Sequence, residues 1–96
     1  MYNIEVGSRA KFEIEEAFDY YNNLPYDQLG EKFLNDYILT IELLEINPFF
    51  QKRFNNYGVI PLNKFPFILI YVILEEEKLV FIESVFHTSQ NPKKYP

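Results

Sequence analysis

Cysteine and tryptophan are absent from the 96 residues, glycine occurs three times, and histidine and methionine once each. Without cysteine there is no disulfide framework and no thiolate metal site, and folding needs no oxidising compartment. A lone histidine leaves no paired-ligand spacing for zinc, and three scattered glycines leave no loop to cradle a phosphate. A Ser/His/Asp signature is also missing. The acidic triplet Glu75-Glu76-Glu77 has no histidine beside it and reads as a solvated turn. Neither a metal nor a cofactor is expected. Long apolar runs are lacking too. The longest, FPFILIYVIL from Phe65 to Leu74, is about half of the roughly 20 residues that cross a bilayer. The first residues, MYNIEVGSRAKFEIEEAF, carry charge throughout and contain no apolar signal-peptide core. These absences lead to the expectation of a cytoplasmic protein with no membrane partner, forming one domain over residues 1–96.

Positive charge is scarce. Nine Lys and Arg stand against fourteen Asp and Glu, for a formal net charge of −5, which opposes general affinity for nucleic acid. The imbalance is uneven. Residues 1–47 hold the acids Glu5, Glu13, Glu15, Glu16, Asp19, Asp27, Glu31, Asp36, Glu42 and Glu45 but only the bases Arg9, Lys11 and Lys32. Later residues reverse the ratio, with Lys52, Arg53, Lys64, Lys78, Lys93 and Lys94 against Glu75, Glu76, Glu77 and Glu83. Any phosphate contact belongs to this second half. The acidic first half suits a basic partner peptide.

Apolar material is plentiful. Hydrophobic residues make up 48% of the chain and aromatics 19%, including ten Phe and eight Tyr, enough for a packed core at this size. Residues 2–6 are compatible with a short strand. Gly7-Ser8 breaks it, with Ser8 a good helix cap. Ala10, Ile14, Ala17, Phe18 and Tyr21 then follow at helical spacing until Asn22-Asn23 and Leu24-Pro25. A second helix is expected from about Asp27 to Asn47-Pro48. Leu29, Phe33, Leu34, Tyr37, Ile38, Ile41 and Leu44 form its apolar stripe, and Asp36, Glu42 and Glu45 line its other side. After Pro48 the period changes. Tyr57–Leu62 reads as an edge strand weakened by Gly58 and Pro61, Phe67–Leu74 as a central strand, and Leu79–His87 as its hairpin partner. The order β-α-α-β-β-β predicts an α+β fold, a helical hairpin packed on one face of a small, mostly antiparallel sheet.

The candidate site residues gather in the second half. His87 ends the last strand and has the chemistry for proton transfer near neutral pH. The alternative is a histidine hydrogen-bonded at a strand end. Alternation places it on the face of Val85 and Glu83. Arg53 and Lys64 flank the Tyr57–Leu62 strand and have the chemistry of phosphate or carboxylate contacts. Lys93, Lys94 and Tyr95 form a basic, aromatic tail, and Tyr71 on the central strand joins them in the expected binding set. Phe12, Tyr20, Phe49, Phe50, Phe54 and Tyr57 lie off the clearest core stripes. Some of them would line an exposed groove suited to a partner segment.

Four stretches in order resemble the RelE/ParE superfamily of type II toxin–antitoxin toxins, the plasmid stabilisation proteins of bacteria. SRAKFEIEEAFDYY is similar to the family's first helix and LGEKFLNDYILTIELLEINP to its second. KFPFILIYVI resembles the family's entry into its central strand, and VFHTSQNPKKY its closing strand and tail. The resemblance implies a toxin neutralised by a cognate antitoxin, as a homodimer or a toxin–antitoxin hetero-oligomer. RelE-like members cut mRNA on the ribosome, whereas ParE-like members poison DNA gyrase. A nuclease of this type would use His87, Arg53 and Lys64. The chain carries Gly58, Phe67 and Gln90 where related sequences tend to have cations. That departure favours an inhibitor acting by binding, with RNA cleavage or a non-toxic interaction protein as the alternatives.

Overall fold

A computed structural model describes residues 1–50, 52–54 and 57–89, without the side chains of residues 50 and 52–54. The chain runs through β1 (Asn3–Val6), α1 (Ser8–Asn22), α2 (Leu29–Ile46), β2 (Lys52–Phe54), β3 (Tyr57–Pro61), β4 (Phe67–Leu74) and β5 (Leu79–His87). Short 3-10 turns at Pro48–Phe50 and Glu75–Glu77 complete it. This is the expected α+β order with one strand added. β2 is only three residues long and shows no apolar alternation, so nothing in its sequence announces a strand.

The sheet order is β1-β5-β4-β3-β2. β1 runs parallel to β5, and the other neighbours are antiparallel. β4 is central, and its near-continuous apolar run is explained by burial on both faces. Phe67, Leu69 and Tyr71 join the cluster under the helices, while Ile68 and Ile70 pack with Phe86 on the opposite face. The helices contribute Ala10, Ile14 and Ala17 from α1 and Phe33 and Leu44 from α2. Gly30 lets the helices approach closely, because a Cβ there would lie 2.9 Å from the Phe18 ring. No helix among the described residues is long and apolar enough to cross a membrane.

Two helix starts differ from expectation. α1 begins at Ser8 with Gly7 as its extended N-cap, and no side chain caps it. α2 begins at Leu29 rather than about Asp27, after Gln28 in a left-handed conformation.

Candidate functional site

A bulge in β5 decides where His87 points. β4 and β5 pair Ile70 with Ser84 but Tyr71 with Ile82, so Glu83 is an extra residue without a partner in the ladder. Val80 and Ile82 face the helices. Strict alternation would turn Val85 and His87 away from them. The extra residue resets the phase, and Val85 returns to the helix-side core. Glu13 of α1 holds this irregularity. Its Oε1 accepts hydrogen bonds from the buried Ser84 hydroxyl at 2.9 Å and the Val85 amide at 2.8 Å. Its Oε2 faces Arg9 Nε at 3.4 Å. His87 therefore shares a face with Val85, as expected, while Glu83 sits at the bulge. The His87 ring stands edge-on to Phe67 with centroids 5.0 Å apart. Its Nδ1 accepts from the Ser89 amide at 3.2 Å and lies 2.7 Å from the Ser89 hydroxyl. In the neutral ring this places the proton on Nε2.

His87 opens onto a cleft of about 430 Å³ between α1 and the sheet. Ala17, Val85 and Phe67 form its apolar lining, and Glu13, Glu16, Tyr20 and Tyr21 stand around it. The Tyr20 and Tyr21 rings meet edge-on at 5.2 Å. Burial, with the neighbouring Tyr20 adding to it, raises the Tyr21 pKa above its ordinary value. Tyr21 is thus a neutral phenol at physiological pH. Among the described residues, the only Asp, Glu, Lys or Arg side chains lining the cleft are those of Glu13 and Glu16.

The other expected site residues lie elsewhere. Lys64 is exposed on the β3–β4 connection and does not line the His87 cleft. That connection is fixed by Asp36, whose carboxylate accepts from the amides of Asn63 at 3.0 Å, Lys64 at 2.7 Å and Phe65 at 2.9 Å. Phe65 then packs edge-on against Tyr21 and Phe33, with centroids 4.9 and 5.6 Å apart. Asp36 is only 3% exposed, so its expected place on the solvent side of α2 is corrected. Its importance was missed, although it falls on the buried 33–36–40–44 spacing. Arg53 pairs with Gly58 in β2–β3, level with Tyr71 of β4, whereas His87 pairs with Phe67. That is about 13 Å along the strands and three strand spacings of about 4.8 Å across them. Tyr71 is 0% exposed, and its hydroxyl donates to the Pro48 carbonyl at 2.7 Å, so it serves packing rather than a binding surface. Lys93, Lys94 and Tyr95 lie outside the described residues.

A second concavity, about 540 Å³, lies between α2 and β3. Leu39, Leu43 and Ile46 border it from α2 at 60, 56 and 70% exposure, opposite Ile60, Pro61 and Leu62. Glu42 stands at its rim. This groove is aliphatic and, among the described residues, none of the surplus aromatics expected to form one lines it, whereas Tyr20 lines the His87 cleft. Of the surplus aromatics, Phe12, Tyr20 and Phe49 are exposed and Tyr57 is half-buried. The side chains of Phe50 and Phe54 lie outside the described residues. No group of three or more candidate metal ligands occurs among the described residues.

No protein-family model and no curated protein matches the chain. Solved structures do. A chain of the chromosomal ParDE TA system from P. aeruginosa superposes with a TM-score of 0.75 at 14% identity, covering 91% of this chain and 96% of that one. The fold is that of the RelE/ParE toxins. A chain of the intact E. coli RelBE toxin–antitoxin complex aligns with a TM-score of 0.52 and 20% identity over 88% of this chain and 94% of its own. The isolated E. coli RelE toxin aligns with a TM-score of 0.54 and 19% identity over 97% of this chain and 90% of its own.

Within this RelE/ParE fold, packing explains one of the missing cations. A Cβ at residue 58 would overlap the Tyr71 ring, so no arginine fits there while that ring is in place. Phe67 is likewise committed to the aromatic core with Phe33 and Tyr21.

Proposed function

We propose that this chain is the toxin component of a type II toxin–antitoxin module. It is neutralised by a cognate antitoxin and acts by binding a cellular protein, with DNA gyrase as the first candidate. The observation that carries this reading over RNA cleavage is the charge of the His87 cleft. Attack by a ribose 2′-hydroxyl needs a proton acceptor, a proton donor and cations around the phosphate. His87 can move a proton, but the carboxylate of Glu16 repels phosphate, Glu13 is already engaged by Arg9, and no Lys or Arg among the described residues lines the cleft. The greater structural similarity to the ParDE chain than to the RelE chains supports the same choice. The aliphatic groove on α2 suits an amphipathic antitoxin segment, with Glu42 at the rim favouring basic flanks.

The test is a supercoiling assay with purified protein and bacterial DNA gyrase. Inhibition of supercoiling with accumulation of cleaved DNA is expected. Undiminished supercoiling with the toxin in large excess would remove gyrase as the target. The alternative function is a ribosome-dependent mRNA endonuclease using His87, Lys64 and Arg53.

A further inference from the structure

The cleft that repels phosphate has the chemistry to hold a cation. Glu13 and Glu16 lie one turn apart on α1, but they are not equivalent. Glu13 is engaged by Ser84, Val85 and Arg9. Glu16 is exposed and meets no cation among the described residues. One turn further on, Tyr20 lines the cleft, is 63% exposed and meets Tyr21 edge-on at 75°. Tyr21 is in turn edge-on to Phe67, 6.3 Å away, which fixes the inner wall. A ring face attracts a cation through its quadrupole, and the attraction grows where water is partly excluded. The cleft is large enough for a long side chain and provides a carboxylate at its mouth.

Guanidinium suits these walls better than ammonium. It is planar, stacks on aromatic faces and presents a fork of donors to a carboxylate. A lysine ammonium is compact and strongly hydrated. Tyr21 stays neutral, so it adds a dipole and no competing charge.

We propose that the α1–β5 cleft binds an arginine side chain of the antitoxin, its guanidinium stacked on Tyr20 and paired with Glu16. The source of the arginine rests on the toxin–antitoxin reading; the ligand class rests on the cleft. The excess of acids over bases in this chain makes a basic partner segment the complementary one.

The test titrates the full chain, isotopically labelled, with N-acetyl-arginine amide and its lysine and citrulline counterparts at fixed ionic strength. Amide signals of Val85 and His87 are followed by NMR. The arginine amide is expected to give saturable shifts with a Kd of about 1 mM. Lysine amide binds more weakly, and the neutral citrulline amide gives no saturable shift. Glu16→Gln, at an exposed position, weakens arginine binding about 3-fold and leaves the melting temperature unchanged. Equal responses to arginine and citrulline, or no saturable response at Val85 and His87, overturn the proposal. Arginine binding by a chain that never arrests growth overturns the antitoxin as the source and leaves the ligand class standing. Failure of the cleft and failure of the toxin reading are thereby distinguished.

Discussion

Asp36 shows how one buried carboxylate can shape a surface motif. Three consecutive amides converge on it, so the Lys64-Phe65-Pro66 entry to β4 is held from beneath rather than by its own turn residues. Each amide would otherwise lose a charge-assisted acceptor, and the partly buried ones would lack water to replace it. Asp36→Ala is expected to destabilise the fold by about 2–4 kcal/mol, read by urea denaturation, with Phe65 loosened from Tyr21 and Phe33. An unchanged denaturation midpoint would show that the loop holds itself. This residue was poorly legible in the sequence. Its charge placed it with Glu42 and Glu45, whereas its spacing from Phe33, Thr40 and Leu44 placed it inside. The charge rule fails here because the backbone of another segment supplies the partners. Tyr71 misled in the opposite direction. It was placed in the expected binding set, but its hydroxyl donates inside to the Pro48 carbonyl.

At the scale of elements, much was legible. β4 and β5 have the expected bounds, because uninterrupted apolar runs between polar turns leave little freedom. The α1 stripe was equally clear, but on α2 Ile38, expected in the stripe, is 50% exposed while Asp36 and Thr40 are buried, and β2 was too short to show a period. The bulge was hidden because it depends on a carboxylate 71 and 72 residues away in the chain from its partners. Glu13 therefore links α1 to the phase of β5 and the outlook of His87. Glu13→Ala leaves the Ser84 hydroxyl and Val85 amide without that acceptor. A loss of about 1–3 kcal/mol is expected in thermal or chemical unfolding, together with displaced NMR signals for Val85 and His87. Glu16→Ala serves as the control and is expected to fall within about 0.5 kcal/mol of the parent, being exposed. Equal effects of the two changes would contradict the role given to Glu13.

On the scale of the whole molecule, the fold was legible in the sequence, whereas how the candidate site residues are arranged was not. The element order and the four family-like stretches led to a RelE/ParE architecture, which the structure and its superpositions bear out. The site was less legible because convergence depends on register. His87 and Lys64 are separated by what each lines, and Arg53 lies across the sheet. Glu13 and Glu16, which the sequence showed only as part of an acidic first half, line the wall of the cleft. The proposal to be tested at this scale is a toxin that acts by binding and not by cutting RNA. The most direct measurement is methionine incorporation in a bacterial host during the first minutes after the protein is induced alone. Growth arrest with incorporation initially sustained is the expected result. A prompt collapse of incorporation, with mRNA cut on the ribosome, would contradict it.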